Sequence, residues 1–201
     1  MEAMKSMNFR RIFLLAVLVG LGFATVAKAQ FAAYGMVSAE RVKGYICGDP
    51  LGRCASTDGT ERPYGGTVGM FYDFRSFGPV RVGVDVRGDF LSATKSATAY
   101  EGGPHLEHYN SGLGGLRATF KTPFKVLRPY AQVSGGFTKA LREGGTANYT
   151  QVQGFVGLDL ALFQNFDFRP IEFGVGEMFG PSSHNVQSIG LGIVFHTARE
   201  K

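Results

Sequence analysis

From about residue 30 onward, apolar and small or polar residues alternate with a period of two through most of the chain. The clearest run is Ser188-Ile-Gly-Leu-Gly-Ile-Val-Phe195, which puts Ile189, Leu191, Ile193 and Phe195 on one face and Ser188, Gly190, Gly192 and Val194 on the other. Seven earlier segments repeat the pattern: Ala32 to Arg41, Tyr64 to Phe74, Val80 to Leu91, Ser111 to Thr122, Leu127 to Lys139, Asn148 to Leu160 and Phe168 to Phe179. These are eight expected strands of about ten residues, the length of one tilted membrane crossing. The apolar set suits lipid, and the opposite set suits a narrow interior. The fold class expected is therefore all-β, an eight-stranded antiparallel up-and-down transmembrane β-barrel.

The inward sets carry charge. Arg81, Asp85, Arg87 and Asp89 repeat along one face of the third strand, opposite Val82, Val84, Val86 and Phe90. Alternation puts Arg117 and Lys121 of the fourth strand, Asp159 of the sixth and Glu172 of the seventh on the same inner side. Unpaired charges in so tight a space are costly, so this cluster should pair and plug the lumen. A soluble lipocalin-like barrel would need apolar residues inward on every strand, and here the inward sets are charged, Gly-rich or amide-bearing.

The connections divide by length. Long polar stretches follow the first and third strands, Val42 to Pro63 and Ser92 to Asn110, whereas the turns at Arg75 to Pro79, Pro123 to Lys125 and around Phe163 are short. Long loops on one side and short turns on the other are the asymmetry of an outer-membrane barrel. Here it rests on the first two loops.

Residues 1–29 read as an export signal. Lys5, Arg10 and Arg11 precede an apolar stretch, Ile12 to Ala24, too short to span a bilayer comfortably, and Ala27-Lys28-Ala29 has the form of a cleavage site. Cutting there leaves residues 30–201 as one barrel domain. Its net charge is +2, because the leader accounts for +3 of the chain's +5, and no nucleic-acid partner is implied. In an exported chain, Cys47 and Cys54 read as a small disulfide-closed loop. Two thiols without a neighbouring histidine fall short of a metal site, and no cofactor is expected. The 29 glycines make room in a small lumen, and the Phe and Tyr residues supply interface girdles.

The stretch Ser188 to Phe195 resembles the C-terminal insertion signal of outer-membrane β-barrels, with Ser188, Gly190, Ile193 and Phe195 as its characteristic positions. With the leader and the eight alternating segments, nearly the whole mature chain resembles the OmpA-like/OmpX-like eight-stranded barrels of Gram-negative bacteria. The resemblance implies an outer-membrane address, assembly by the barrel-assembly machinery, and contact with outer-membrane lipid and lipopolysaccharide. It also implies extracellular long loops available to an external ligand. His196 to Lys201 depart from the pattern, since such barrels often stop at the aromatic residue.

Three functions compete: a structural or surface-interaction barrel, a small-solute or ion channel, and a lipid A-modifying enzyme. His184-Asn185 is similar to the His-x-Ser-Asn region of lipid A deacylase, but Val186 stands where that pattern has its serine, so His184 reads as a loop histidine facing water. His105 and His108, with Glu107, likewise read as a solvated loop and not a metal site. No catalytic residue is assigned. The expected function is a non-enzymatic, structural or surface-interaction barrel.

Overall fold

The computed structural model describes residues 30–43, 60–93, 106–124, 126–142, 145–180 and 183–197. The expected leader, residues 1–29, and the expected disulfide, Cys47 and Cys54, lie outside the described residues. The strands are β1 Gln30–Lys43, β2 Thr60–Glu61, β3 Tyr64–Phe77, β4 Val80–Ser92, β5 Leu106–Phe120, β6 Leu127–Arg142, β7 Gly145–Leu160, β8 Phe166–Phe179 and β9 His184–His196. β2 pairs with the end of β1 and is set off from β3 by Arg62-Pro63. Each of the other eight pairs antiparallel with its neighbours, and β9 closes onto β1 from Ala32 opposite His196 to Lys43 opposite Asn185. The protein is an all-β, eight-stranded antiparallel up-and-down transmembrane β-barrel.

Closure fixes the geometry. From Ala33 the register passes through Met70, Val86, Gly114, Gly135, Val152, Glu177 and Asn185 and returns to β1 at Lys43, ten residues farther along. A shear of ten over eight strands requires a tilt of roughly 40° and a backbone radius of roughly 8 Å, which side chains just fill.

The wall strands run longer than alternation indicated, 13 to 16 residues each. Val42, Lys43 and residues 106–110, expected in loops, are strand, as are Arg75 to Phe77, expected in a turn. The β3–β4 hairpin shrinks to Gly78-Pro79, with Gly78 at φ 58°, the conformation that matches strand twist in a two-residue hairpin. Backbone pairing and not polarity sets the strand ends, so polar ladders continue beyond the lipid.

The outward face shows where lipid ends. Val37, Val86, Leu116, Val133, Val156, Val175 and Ile193 are all exposed there. Phe31, Phe77, Phe120, Phe166 and Phe195 ring the end bearing the short turns, and Tyr64, Phe90, Phe137 and Phe179 ring the other. Around that second ring the outward residues turn polar: Arg41, Lys43, Asn110, Lys139, Thr150, Glu177 and Gln187. From Asn110 to Phe120, β5 at this tilt covers roughly 25 Å, the height of a barrel's apolar band.

Candidate functional site: the filled lumen

Inward positions at mid-barrel carry three guanidinium groups and three carboxylates, all nearly inaccessible to solvent. Arg87 of β4 reaches across to Glu172 of β8, donating from Nη1 to Oε1 at 2.7 Å and from Nη2 to Oε2 at 3.3 Å, and its Nε lies 3.5 Å from Asp85. Arg117 of β5 donates to Asp159 Oδ2 at 2.7 Å. Arg169 of β8 donates through Nε and Nη2 to the two oxygens of Asp159, at 2.7 and 3.1 Å, and through Nη1 to Glu172 Oε2 at 3.2 Å. The three positive charges thus balance Asp85, Asp159 and Glu172, the arrangement that offsets the cost of desolvating them.

Aromatic rings separate the guanidinium groups. Arg117 lies between Phe71 and Tyr130, 4.0 and 3.7 Å from their centroids, Arg169 between Tyr34 and Tyr130, and Arg87 against Phe155 at 3.8 Å. The Tyr130 hydroxyl donates to Glu172, and the Tyr34 hydroxyl donates to Asp85 at 3.0 Å. Gln132 bridges Arg87 and Asp85, accepting from one at 3.2 Å and donating to the other at 2.7 Å. Two glycines give the rings their space: a Cβ at Gly157 would collide with Tyr130, and one at Gly69 with Tyr34.

Toward the long-loop end the lumen passes first to amides, hydroxyls and the Asp89 carboxylate and then to apolar side chains. Gln151, Gln153 and Ser188 form a chain of hydrogen bonds joined by Tyr109 and Thr138, and Asp89 accepts from Thr67 at 2.6 Å and from Ser111. Above them Val42, Leu91, Tyr109, Ala140, Tyr149, Met178 and Val186 pack as one cluster. That end is filled by apolar contact, and mid-barrel by paired charge.

The structure brings Asp85, Arg87, Arg117, Asp159 and Glu172 of the expected cluster together. Asp89 is buried one layer away among hydroxyls, and Arg81 is half-buried nearer the short turns. Lys121 is not in the lumen, because β5 ends at Phe120 and the lysine sits exposed in the turn, its N–H on the Pro79 carbonyl. His184 does not face water either: it opens β9 with its ring buried edge-on to Tyr149, 5.3 Å between centroids. His108 is an exposed residue of β5 beside the Ser92 hydroxyl, not a loop residue. Among the described residues no three His, Cys, Asp or Glu side chains converge as a metal site. Of the insertion-signal positions, Ile193 and Phe195 point outward, whereas Gly190 is buried and Ser188 lines the lumen.

Sequence reading missed Arg169, Glu40, Asp167 and His196. His196 is the last residue of β9 and turns inward, its Nε2 2.9 Å from Asp167, which also lies 3.6 Å from Arg128. Glu40 is in phase with Tyr34 and Met36 and was readable from that phase.

No protein-family model matches the chain, and no curated protein matches it. Among solved structures, Ail, the attachment invasion locus protein of Yersinia pestis, aligns at 15% identity over 85% of this chain and 99% of its own, with a TM-score of 0.51. Its complex with the heparin analogue sucrose octasulfate aligns at 14% identity over the same shares, with a TM-score of 0.50. OprG from Pseudomonas aeruginosa aligns at 10% identity over 85% of this chain and 97% of its own, with a TM-score of 0.48.

Proposed function

We propose that the chain is an outer-membrane barrel with a structural or surface-interaction role, exported by residues 1–29 and acting through the connections at its long-loop end. The observation that carries this reading is the filled lumen: ion pairs at mid-barrel, amides and hydroxyls above them, and an apolar cluster above those. A lumen so filled offers solute no route, so contacts with other molecules fall to the outer wall and the loops. The fold shared with Ail, an attachment protein by name, is in keeping with this. The outward phase of Ile193 and Phe195 keeps them available to the barrel-assembly machinery during insertion, and the aromatic rings suit outer-membrane lipid and lipopolysaccharide.

Fractionation with heat-modifiable gel mobility tests address and closure together, and planar bilayers test the plug. The protein should sediment with outer membranes, run faster before boiling, and show little or no steady conductance. A large, stable conductance in the unmodified protein would replace this reading with a small-solute or ion channel.

A further inference from the structure

One lumen compartment departs from the balance of charge at mid-barrel. Glu40 of β1 is 5% exposed, and its Oε2 atom has no hydrogen-bond partner. It borders a small lumen cavity of about 10 Å³, lined also by Ser38, Thr67, Arg87, Asp89 and Ser188. That is room for one particle of about the size of a water molecule.

The lining is an oxygen cage with excess negative charge. β1 contributes Glu40 and the Ser38 hydroxyl, β3 the Thr67 hydroxyl, β4 the Asp89 carboxylate, and β9 the Ser188 hydroxyl. β5 adds the Tyr109 hydroxyl beside Glu40, and β8 adds Glu172 at the cavity edge. Arg87 is the one cationic lining residue, and its bonds go to Glu172 and Gln132. Glu40 and Asp89 are therefore two buried carboxylates with no guanidinium or ammonium bonded to them among the described residues. A buried charge left so is strongly unfavourable.

We propose that this cavity binds a single monovalent alkali cation of sodium's size, held by Glu40, Asp89 and the surrounding hydroxyls. Donors that are all oxygen select a hard cation, and the small volume disfavours magnesium, which keeps several of its waters. Ser38, Thr67 and Asp89 are already joined in one hydrogen-bonded row, so the side chains on one wall of the cage are set before the ion arrives. The ion would offset one of the two negative charges that, unlike those at mid-barrel, have no arginine bonded to them.

The test uses the barrel purified from outer membranes into detergent micelles. Its unfolding temperature is compared in sodium chloride and in N-methyl-D-glucamine chloride at equal ionic strength. Sodium should raise the wild-type unfolding temperature in a saturable way. Glu40→Gln should abolish the sodium response, and Glu177→Gln on the outer surface should keep it. The wild type should also broaden the 23Na resonance of added sodium, which decides the matter even if Glu40→Gln fails to assemble. Equal unfolding temperatures in the two salts with no 23Na broadening would overturn the proposal. So would a response to calcium or magnesium that sodium does not reproduce. Stabilisation by Glu40→Gln without any sodium response in the wild type would also overturn it, identifying a neutral carboxyl beside a water.

Discussion

Arg169 and Glu172 lie three residues apart on β8, yet both turn into the lumen, where Arg169 Nη1 meets Glu172 Oε2 at 3.2 Å. Strict alternation forbids this. Arg169 pairs with Gly192 and Glu172 with Gly190, so Pro170 and Ile171 together stand opposite Leu191, a bulge at a residue with no N–H to lose from the ladder. The bulge delivers a second guanidinium to Asp159, beside that of Arg117. Removing it by Arg169→Met strips Asp159 of its bidentate partner, and the barrel should lose about 3–5 kcal/mol of stability in urea unfolding. Arg169→Lys should restore only part of that, because an ammonium makes neither the fork to Asp159 nor the contact with two rings. Wild-type stability in Arg169→Met would show that Arg117 alone neutralises Asp159.

The same bulge marks where the sequence stopped being legible. Asp85, Arg87, Asp159 and Glu172 could be placed because β4 and β7 alternate without interruption around them and Glu172 follows the bulge. Arg169 and Asp167 precede it and fall out of phase when read backward from Glu172. Lys121 failed for the opposite reason: alternation continues on paper past Phe120, but the ladder ends there. Partner choice was not legible either, because Arg87 and Glu172 sit on strands that are not neighbours and meet only once a shear of ten is fixed. His184 looked like a loop residue because the polar run before it hides that β9 begins there.

Gly157 faces the lumen under the Tyr130 ring, and a methyl group there has no space. Gly157→Ala should push Tyr130 off Glu172 and off Arg117 and Arg169, costing about 1–3 kcal/mol as overpacking does. Because those contacts close mid-barrel, the variant should also leak ions in planar bilayers. Unchanged stability and silence in the bilayer would mean that Tyr130 finds an equivalent seat.

The outer wall gives a depth test on one strand. Val156 faces lipid near the middle of the apolar band, whereas Thr150 faces outward at its polar edge. Arginine at Val156 should cost about 2–4 kcal/mol and arginine at Thr150 about 0–1 kcal/mol in refolding into lipid vesicles. Equal costs would contradict the placement of the membrane on this wall.

Cys47 and Cys54 remain a proposed disulfide, closing a short ring outside the wall. In a chain-entropy account such a ring restrains the unfolded protein by roughly 2–3 kcal/mol at most. Alkylation of unreduced protein should find no free thiol, and the Cys47→Ser, Cys54→Ser double variant should still assemble. Labelling of both thiols in the unreduced protein would refute the bridge.

The residues beyond Phe195 have a structural use that an ending on the aromatic would lack. The His196 N–H binds the Asn165 carbonyl at 2.8 Å, its ring meets Asp167 at 2.9 Å and packs edge-on to Phe71, and the Thr197 N–H reaches the Phe31 carbonyl at 3.1 Å. Together these tie the end of β9 to the last turn and to the start of β1. Truncation after Phe195 keeps the outward Ile193 and Phe195, so the barrel should still insert. It leaves Asp167 without the imidazole, which should cost about 1–3 kcal/mol, as loss of a buried hydrogen-bond partner does. His196→Ala alone should account for most of that loss, with the heat-modified band appearing at lower temperature than in wild type. If truncation abolishes insertion while His196→Ala does not, the last residues act in assembly and not in holding the closed barrel.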